Sequence, residues 1–594
     1  MDSTLTITQI LAEARHRPRH WNAFKFRRGD IWLNVSWNEV YRSCEAVAGG
    51  LLKSGIKAGE RVALLCETRR EWVYSDFGIM GIGAVTVPIY PSQRPEEMTA
   101  IIKDSEAKLL ILENNFQYRK WLEVRSQCPT VTAVILIDAP LEPPKDALTW
   151  DALLDLGHQL SRERPDFFEA AIAKQKLSQV ATLIYTSGTT GEPKGVVLTH
   201  RQVMAEIEAI LDVIPLDEND TSLSFLPYAH ILGRVEGWAA VTAGFTLAFA
   251  ESIDRLRFNL LDVKPTLLIA VPRVFEKLYA AIKSQSEANP ALNKVFKWGL
   301  RVGKKVSDAR RDRRRVPPDV LMRNMVAENI VFRAIKNKLG GRLRFAVSGG
   351  APLGKEIAEF FHSIGLLILE GYGLTETTAA ITANTPIAYK FGTVGKPLKG
   401  VRLKIAADGE ILVKGPMVMV EYYNQPEANK AAFTDGYFHT GDIGEIDNDG
   451  FLRITDRKKD LIKTAGGKYV APQKLENLLK LNPMISHALI HGDQEKYIVA
   501  LLTLNAERVA EYARAHQISH QDIRTLSQHP HIKGLIRNLV AEVNAKLSSY
   551  ETIKNFAILS YDFTVEAGEL TPSLKVKRKF CSEKYKDALK ALYE

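Results

Sequence analysis

Over the first two thirds of the chain, short aliphatic and β-branched runs alternate with longer segments of helical spacing. RVALLCE (61–67), AVTVPIY (84–90), KLLILE (108–113) and AVILID (133–138) are continuous apolar runs, the pattern of strands buried on both faces. RREWVYSDFGIMGIG (69–83) and RPEEMTAIIKDSE (94–106) between them have the apolar period of helices. The alternation resumes with ATLIYTSG, LSFLP, TLLIAVP, LRFAVSGG and LLILEGYG, separated by segments such as APLGKEIAEFFHSI (351–364). The fold class this predicts is α/β, with doubly wound sheets whose strand ends meet Gly-rich turns, where such sheets form ligand crevices. After about Gly395 the texture changes to short strands and turns, a β-rich lobe, and a small α+β tail begins near DLIKTAGGKYV.

A chain of 594 residues exceeds what one hydrophobic core usually serves, so two or more domains are expected. Cys44, Cys66, Cys128 and Cys581 show no paired spacing, which fits a reducing, cytoplasmic setting and argues against disulfides or a thiolate metal site. The start MDSTLTITQI has no basic region leading into an apolar core, and the most apolar windows are too short and interrupted to span a bilayer. Net charge is +10, with dense basic runs at 304–315 (KKVSDARRDRRR) and 575–579 (KVKRK). Such runs are solvated faces or sites of attraction to an anionic membrane surface; a nucleic-acid partner is not expected.

Residues 185–200, YTSGTTGEPKGVVLTH, follow a strand-like run and combine hydroxyls, bare backbone and one lysine. Gly lets backbone N–H groups approach anionic oxygens, Ser and Thr add donors and Lys194 adds charge, so a phosphate-rich ligand is indicated. It is not a P-loop, because Pro193 precedes Lys194 and a strand-like run follows. Four further stretches carry polar chemistry at turns: EGYGLTET (370–377), YFHTGDIG (437–444), TDRKKDLIKTAGGKYVAP (455–472) and GELTPSLKVKRKF (568–580). Tyr372 could stack on a base, Glu376 could hold Mg²⁺ and Asp442 could accept the hydrogens of a ribose diol. Taken singly, each also reads as an ordinary cap, turn, linker or surface lysine.

In combination, YTSGTTGEPKGV, SGGAPL, GYGLTET, YFHTGDIG, DRKKDLIKTAGGKYV and LTPSLKVKR stand in the order of the core motifs of the adenylate-forming (AMP-binding) superfamily, which the chain resembles from about residue 20 to 590. The resemblance implies that Thr186, Ser187, Gly188, Thr189, Thr190, Gly191 and Lys194 hold the β- and γ-phosphates of ATP. It implies that Gly349, Gly350, Ala351 and Tyr372 frame the adenine, that Gly373 is a further ATP-binding residue, that Thr375 meets the α-phosphate and that Glu376 binds Mg²⁺. Asp442 and Arg457 match the ribose-binding pair and Lys575 the adenylation lysine. The implied domains are 1–456, which binds AMP, and 457–594, a mobile lid hinged near Lys459, where many relatives carry Asp. After adenylation the lid would bring Lys463, Gly466 and Gly467 to the acyl-adenylate for attack by coenzyme A.

LPYAHILGRVEGW, KPTLLIAVPRVFEKL and the basic helical segment resemble long-chain fatty acyl-CoA synthetases, with His230 at the position lining the acyl carboxylate pocket. His230 would equally serve as a polar cap at a strand-to-helix turn. The expected activity is ATP-dependent conversion of a long-chain fatty acid to acyl-AMP and then to acyl-CoA, in the cytoplasm or at a membrane periphery. Transfer to a carrier protein and a catalytically dead lipid- or nucleotide-binding scaffold are the alternatives.

Overall fold

The computed structural model describes residues 4–186, 193–287, 289–519, 522–571 and 575–594. The four runs opening the chain's alternation form strands Arg61–Leu65, Val85–Ile89, Leu109–Asn114 and Ala133–Asp138, and the two segments between them form helices Arg70–Gly81 and Pro95–Ser105. The strands belong to a seven-stranded sheet ordered Leu148–Thr149, Ala133–Asp138, Leu109–Asn114, Arg61–Leu65, Val85–Ile89, Val180–Thr186, Lys194–Thr199. It is parallel up to its last pair, which is antiparallel.

A nine-stranded sheet holds the second set, with Leu367–Tyr372, Phe345–Ser348, Leu267–Ala270, Thr221–Ser224 and Thr246–Phe249 as parallel neighbours. Helix Ile231–Ala243 shares one hydrophobic core with Arg70–Gly81 and with strands of both sheets. At its centre Arg234 pairs with Asp76 and also donates to Thr182, all three being buried. A buried ion pair is tolerated only when its remaining polar atoms are also satisfied, and here Thr86 donates to the same Asp76 carboxylate at 2.7 Å.

A five-stranded antiparallel lobe contains Arg402–Ile405, Glu410–Lys414, Tyr437–Ile446, Phe433–Thr434 and Leu452–Arg457. Beyond it, strands Ile485–His491, Ile498–Leu504 and Ile553–Ile558 pack with helices Pro472–Lys480 and Pro530–Asn544 around a core of their own. This C-terminal part rests on helix Pro272–Glu287: Arg273 donates to Ser486 at 3.2 Å, Arg508 to Ser284 at 2.7 Å, and Lys480 lies 3.9 Å from Glu276. Of the two basic runs, the first does not stay helical to its end, since helix Pro290–Arg311 stops at Arg311 and Arg313 has φ +52°. In the second, Arg578 is an internal strut, donating to Glu476 at 2.7 Å and to the Ile490 carbonyl at 2.8 Å.

Candidate active site

The hydroxyl loop begins and ends on a cross-strand pair, because Thr186 and Lys194 are register partners at the tip of antiparallel strands Val180–Thr186 and Lys194–Thr199. Ser187, Gly188, Thr189, Thr190 and Gly191 lie outside the described residues. The free edge of the second strand recruits a distant segment: Val197 N–H donates to the Glu421 carbonyl at 2.9 Å and Tyr423 N–H to the Gly195 carbonyl at 2.7 Å. Tyr422 is thereby set between two expected site residues. The Lys194 ammonium lies 5.0 Å from its ring centre, and its hydroxyl donates to Glu376 Oε1 at 2.9 Å. Burial and the Glu376 charge both push the Tyr422 phenol pKa up, so the hydroxyl stays a donor.

Glu376 occupies the turn Thr375–Thr377 just past strand Leu367–Tyr372. That turn is tight: a Cβ on Gly373 would lie 1.4 Å from the Ala379 carbonyl oxygen. Thr378 and Ala379 both have positive φ, +56° and +102°, a conformation that non-glycine residues hold only under constraint. The constraint is visible, with Thr378 donating to the Met417 carbonyl at 2.6 Å and Ala380 N–H donating to buried Glu206 at 2.6 Å.

Asp442 and Arg457 are register partners on Tyr437–Ile446 and Leu452–Arg457, with Arg457 Nε 3.1 Å from Asp442 Oδ1. The second carboxylate oxygen accepts from Tyr372 Oη at 2.7 Å, so a single buried carboxylate ties the β-rich lobe to the end of the large sheet. Gly349 and Gly350 follow strand Phe345–Ser348 on the neighbouring strand end, with Gly350 at φ +82° and Ala351 exposed. Beneath them burial pushes the Glu370 carboxyl up to about 8, although it accepts from Leu353 N–H at 3.2 Å.

Lys575 reaches this group from the C-terminal part. It keeps an open face toward solvent. Partial dehydration of its ammonium in the cleft, and secondarily Arg457, draw its pKa down to about 8 against the opposing pull of Asp442. His230 is the N-cap of helix Ile231–Ala243, its Nδ1 accepting from Leu232 N–H at 3.2 Å, so the capping role is real. That bond leaves the ring proton on Nε2. Burial first, and the Lys575 ammonium second, lower the His230 pKa to about 4.

The structure does not bring every expected residue here. Lys463 and Tyr469 pair in an exposed hairpin, where Gly466 is exposed and Gly467 has φ +74°. The Lys463 ammonium lies 5.7 Å from the Tyr469 ring centre, and its backbone bonds the nearby turn, its N–H donating to Asp493 at 3.0 Å and its carbonyl accepting from Gln494 at 2.8 Å. Lys459 lies two residues past Arg457, exposed, at the exit from the lobe.

A family model described as AMP-binding enzyme matches residues 11–423, and one described as AMP-binding enzyme C-terminal domain matches residues 459–594. The chain belongs to the AMP-binding enzyme family. This AMP-binding enzyme is 39% identical over 568 residues to the long-chain-fatty-acid–CoA ligase FadD15 of Mycobacterium bovis, covering 95% of this chain and 93% of that protein. It is 30% identical over 626 residues to the long-chain-fatty-acid–CoA ligase ACSBG2 of Homo sapiens, covering 100% and 93%. The crystal structure of the anthranilate CoA ligase AuaEII in complex with anthranoyl-AMP is similar with TM-score 0.72 and 20% identity, covering 99% of this chain and 98% of that one, a likeness of fold.

Among the described residues no group of three or more His, Cys, Asp or Glu side chains could hold a metal by itself. The AMP-binding enzyme's lone Glu376 suits Mg²⁺, which commonly takes one or two carboxylates and fills its octahedron with phosphate and water oxygens. Tyr422 is the site residue that sequence reasoning missed. Its only signal was a pair of aromatics ahead of an Asn-Gln-Pro turn in EYYNQPEAN, which reads as lobe texture.

Proposed function

We propose that this AMP-binding enzyme is a long-chain fatty acid–CoA ligase, converting a long-chain fatty acid, ATP and coenzyme A to acyl-CoA, AMP and pyrophosphate. The observation that carries the reading is that the Lys575 ammonium acts electrostatically on His230 and feels the paired Asp442 and Arg457. The acid class follows the relatives named above.

A carboxylate oxygen attacks the α-phosphorus of ATP, the bond from that phosphorus to the bridging oxygen breaks, and pyrophosphate leaves. Two anions converge in this step, so fixed positive charge at the meeting point lowers the barrier. Lys575 supplies it. Lys194, together with Thr186 and the loop that follows, takes the β- and γ-phosphates, and Thr375 the α-phosphate. Asp442 and Arg457 orient the ribose, while Tyr372, Gly349, Gly350 and Ala351 frame the adenine and Gly373 is a further ATP-binding residue, so positioning supplies much of the rate. His230, neutral and with its Nε2 proton free to donate, holds the acid without adding a competing charge. Bound at Glu376, Mg²⁺ would neutralise charge on the phosphates.

In the second step the thiolate of coenzyme A attacks the acyl carbonyl and AMP departs. We assign 1–456 as the adenylating domain and 457–594 as a lid pivoting near Lys459. The separate C-terminal core and the exposed hairpin carrying Lys463, Gly466 and Gly467 support such a movement. Peripheral contact with an anionic membrane belongs to the same reading, since the acid is a lipid. No helix among the described residues is long and apolar enough to cross a membrane.

Thioester formation measured over a series of acids tests the assignment. Acids of about twelve carbons or more are expected to be used best, each buried methylene adding roughly 0.8 kcal/mol until the site is filled. Acetate exceeding palmitate in kcat/KM would overturn it.

A further inference from the structure

We infer that the helix pair formed by residues 290–338 is a docking face for an anionic lipid bilayer, an inference that rests on the proposed lipid substrate only for its purpose. Helix Pro290–Arg311 is followed by helix Pro318–Ala327, a wider turn Glu328–Phe332 and helix Arg333–Lys338. The turn Glu328–Phe332 packs on the first helix at Gly299 and Gly303, where added Cβ atoms would meet Phe332 at 3.5 Å and 3.0 Å. Val320, Ala327, Val331 and Phe332 supply the buried side. The outer side of a surface helix is normally polar. Here it carries Leu321, Met322, Met325, Val326 and Ile330, with Met322 65% and Ile330 61% exposed. Leu321 and Met325, Met322 and Val326, and Val326 and Ile330 are each four apart, which makes one stripe along the outside of the helix and the turn that follows it.

Charge decides the occupant. Residues 290–338 hold fourteen Lys and Arg against four Asp and Glu, an excess of ten that equals the formal charge of the whole chain. All four carboxylates are engaged inside the segment: Asp308 and Asp312 with Arg311 at 2.9 Å, Asp319 with Arg323 at 4.0 Å, and Glu328 with Lys336 at 2.9 Å. Lys297, Arg301, Lys304 and Arg333 are exposed. An apolar stripe beside uncompensated long basic side chains matches a helix lying in the headgroup region of an anionic membrane. A second copy of this chain would set one strongly positive face against another. The arginine run 310–315 is a lesser part of this face, because Arg311 and Arg314 already bind Asp312 and Arg313 donates to the Ile387 carbonyl at 3.2 Å.

The test is co-sedimentation of the full chain with vesicles of phosphatidylglycerol and phosphatidylcholine, or phosphatidylcholine alone, at low and high salt. Wild type is expected to bind the anionic vesicles and to release them at high salt. The triple change Met322→Ser, Met325→Ser and Ile330→Ser, and separately Lys297→Ser, Arg301→Ser and Lys304→Ser, should each weaken binding by about tenfold or more. Both variants should keep thioester formation from dissolved acid and an unchanged Tm. Absence of wild-type binding, or equal binding by the Met/Ile variant, would overturn the proposal. So would light scattering that shows a wild-type dimer which the Met/Ile variant dissolves, without vesicle binding. Loss of thioester formation in wild type with vesicle binding intact would instead overturn the proposed activity and leave the docking face standing.

Discussion

The ammonium of Lys575 lies near enough to the imidazole of His230 to help keep that ring neutral, although the two reach the cleft from the C-terminal and N-terminal parts of the chain. The Lys575 ammonium feels the Asp442–Arg457 pair that Tyr372 joins, and the histidine is a neutral donor whose other nitrogen is committed to capping a helix. On the proposed function, this arrangement serves the adenylation step. The hairpin carrying Lys463 is exposed here, and the proposed second step would require a different arrangement.

In its proposed role, the charge on Lys575 is expected to make adenylation pH-dependent. With its pKa lowered to about 8, the free enzyme carries the ammonium below that value and loses it as pH rises through it. The kcat/KM of acid-dependent ATP–pyrophosphate exchange, which reports the free enzyme, is expected to fall about tenfold per pH unit above this point. Lys575→Arg should be slower at neutral pH yet level into the alkaline range, because a guanidinium does not deprotonate. The same alkaline fall in both would exclude Lys575 as its source.

Tyr422 tests the link between the phosphate loop and Glu376. Tyr422→Phe keeps the ring beside Lys194 and removes only the hydroxyl that donates to Glu376. A hydrogen bond to a charged group contributes about 1.5–3 kcal/mol, so a roughly tenfold rise in the Mg²⁺ concentration that half-saturates adenylation is expected, with Tm little changed. A titration indistinguishable from wild type would remove Tyr422 from the site.

Two glycines should respond differently to a methyl group. Gly373→Ala places a Cβ 1.4 Å from the Ala379 carbonyl oxygen, where backbone cannot yield, and a loss of several kcal/mol or of soluble protein is expected. Gly441 has φ +70° but nothing within 4 Å of an added Cβ, so Gly441→Ala should cost about 1–2 kcal/mol from backbone strain alone. Urea unfolding midpoints of the two variants compare them directly.

What the sequence made legible was whatever depends on near neighbours. The run 62–65 reads as a buried strand because four consecutive apolar positions say so, and Asp442 pairs with Arg457 because a short hairpin joins them. Tyr422 was illegible, for its place is set by a bridge to Val196 across more than two hundred residues. Arg234 and Asp76 look like surface charges within helical repeats, and only the packing of their two helices turns them inward as a pair. The stripe at 321–330 is hidden by the opposite effect. LMRNMVAENIVF is apolar on both sides, and periodicity does not say which side remains uncovered.

In their proposed roles, Lys575 and Lys459 are expected to separate the two half-reactions. Lys575→Ala removes positive charge where the carboxylate meets the α-phosphorus, so acyl-adenylate formation should fall by orders of magnitude. Thioester formation from supplied acyl-adenylate and coenzyme A should survive, since the thiol attacks a carbonyl already activated. Lys459 stands just past Arg457, where the chain leaves the lobe, and Lys458 beside it is anchored to Asp408 at 2.6 Å and Glu410 at 2.9 Å. The proposed rotation of the C-terminal part would therefore be absorbed by backbone beyond that anchor. Lys459→Pro restricts one φ there, and is expected to spare adenylation while slowing thioester formation at least tenfold. The two variants should thus fail in opposite steps. Equal loss of both steps in both variants, with the proteins folded by circular dichroism, would refute a lid that serves the two reactions in turn.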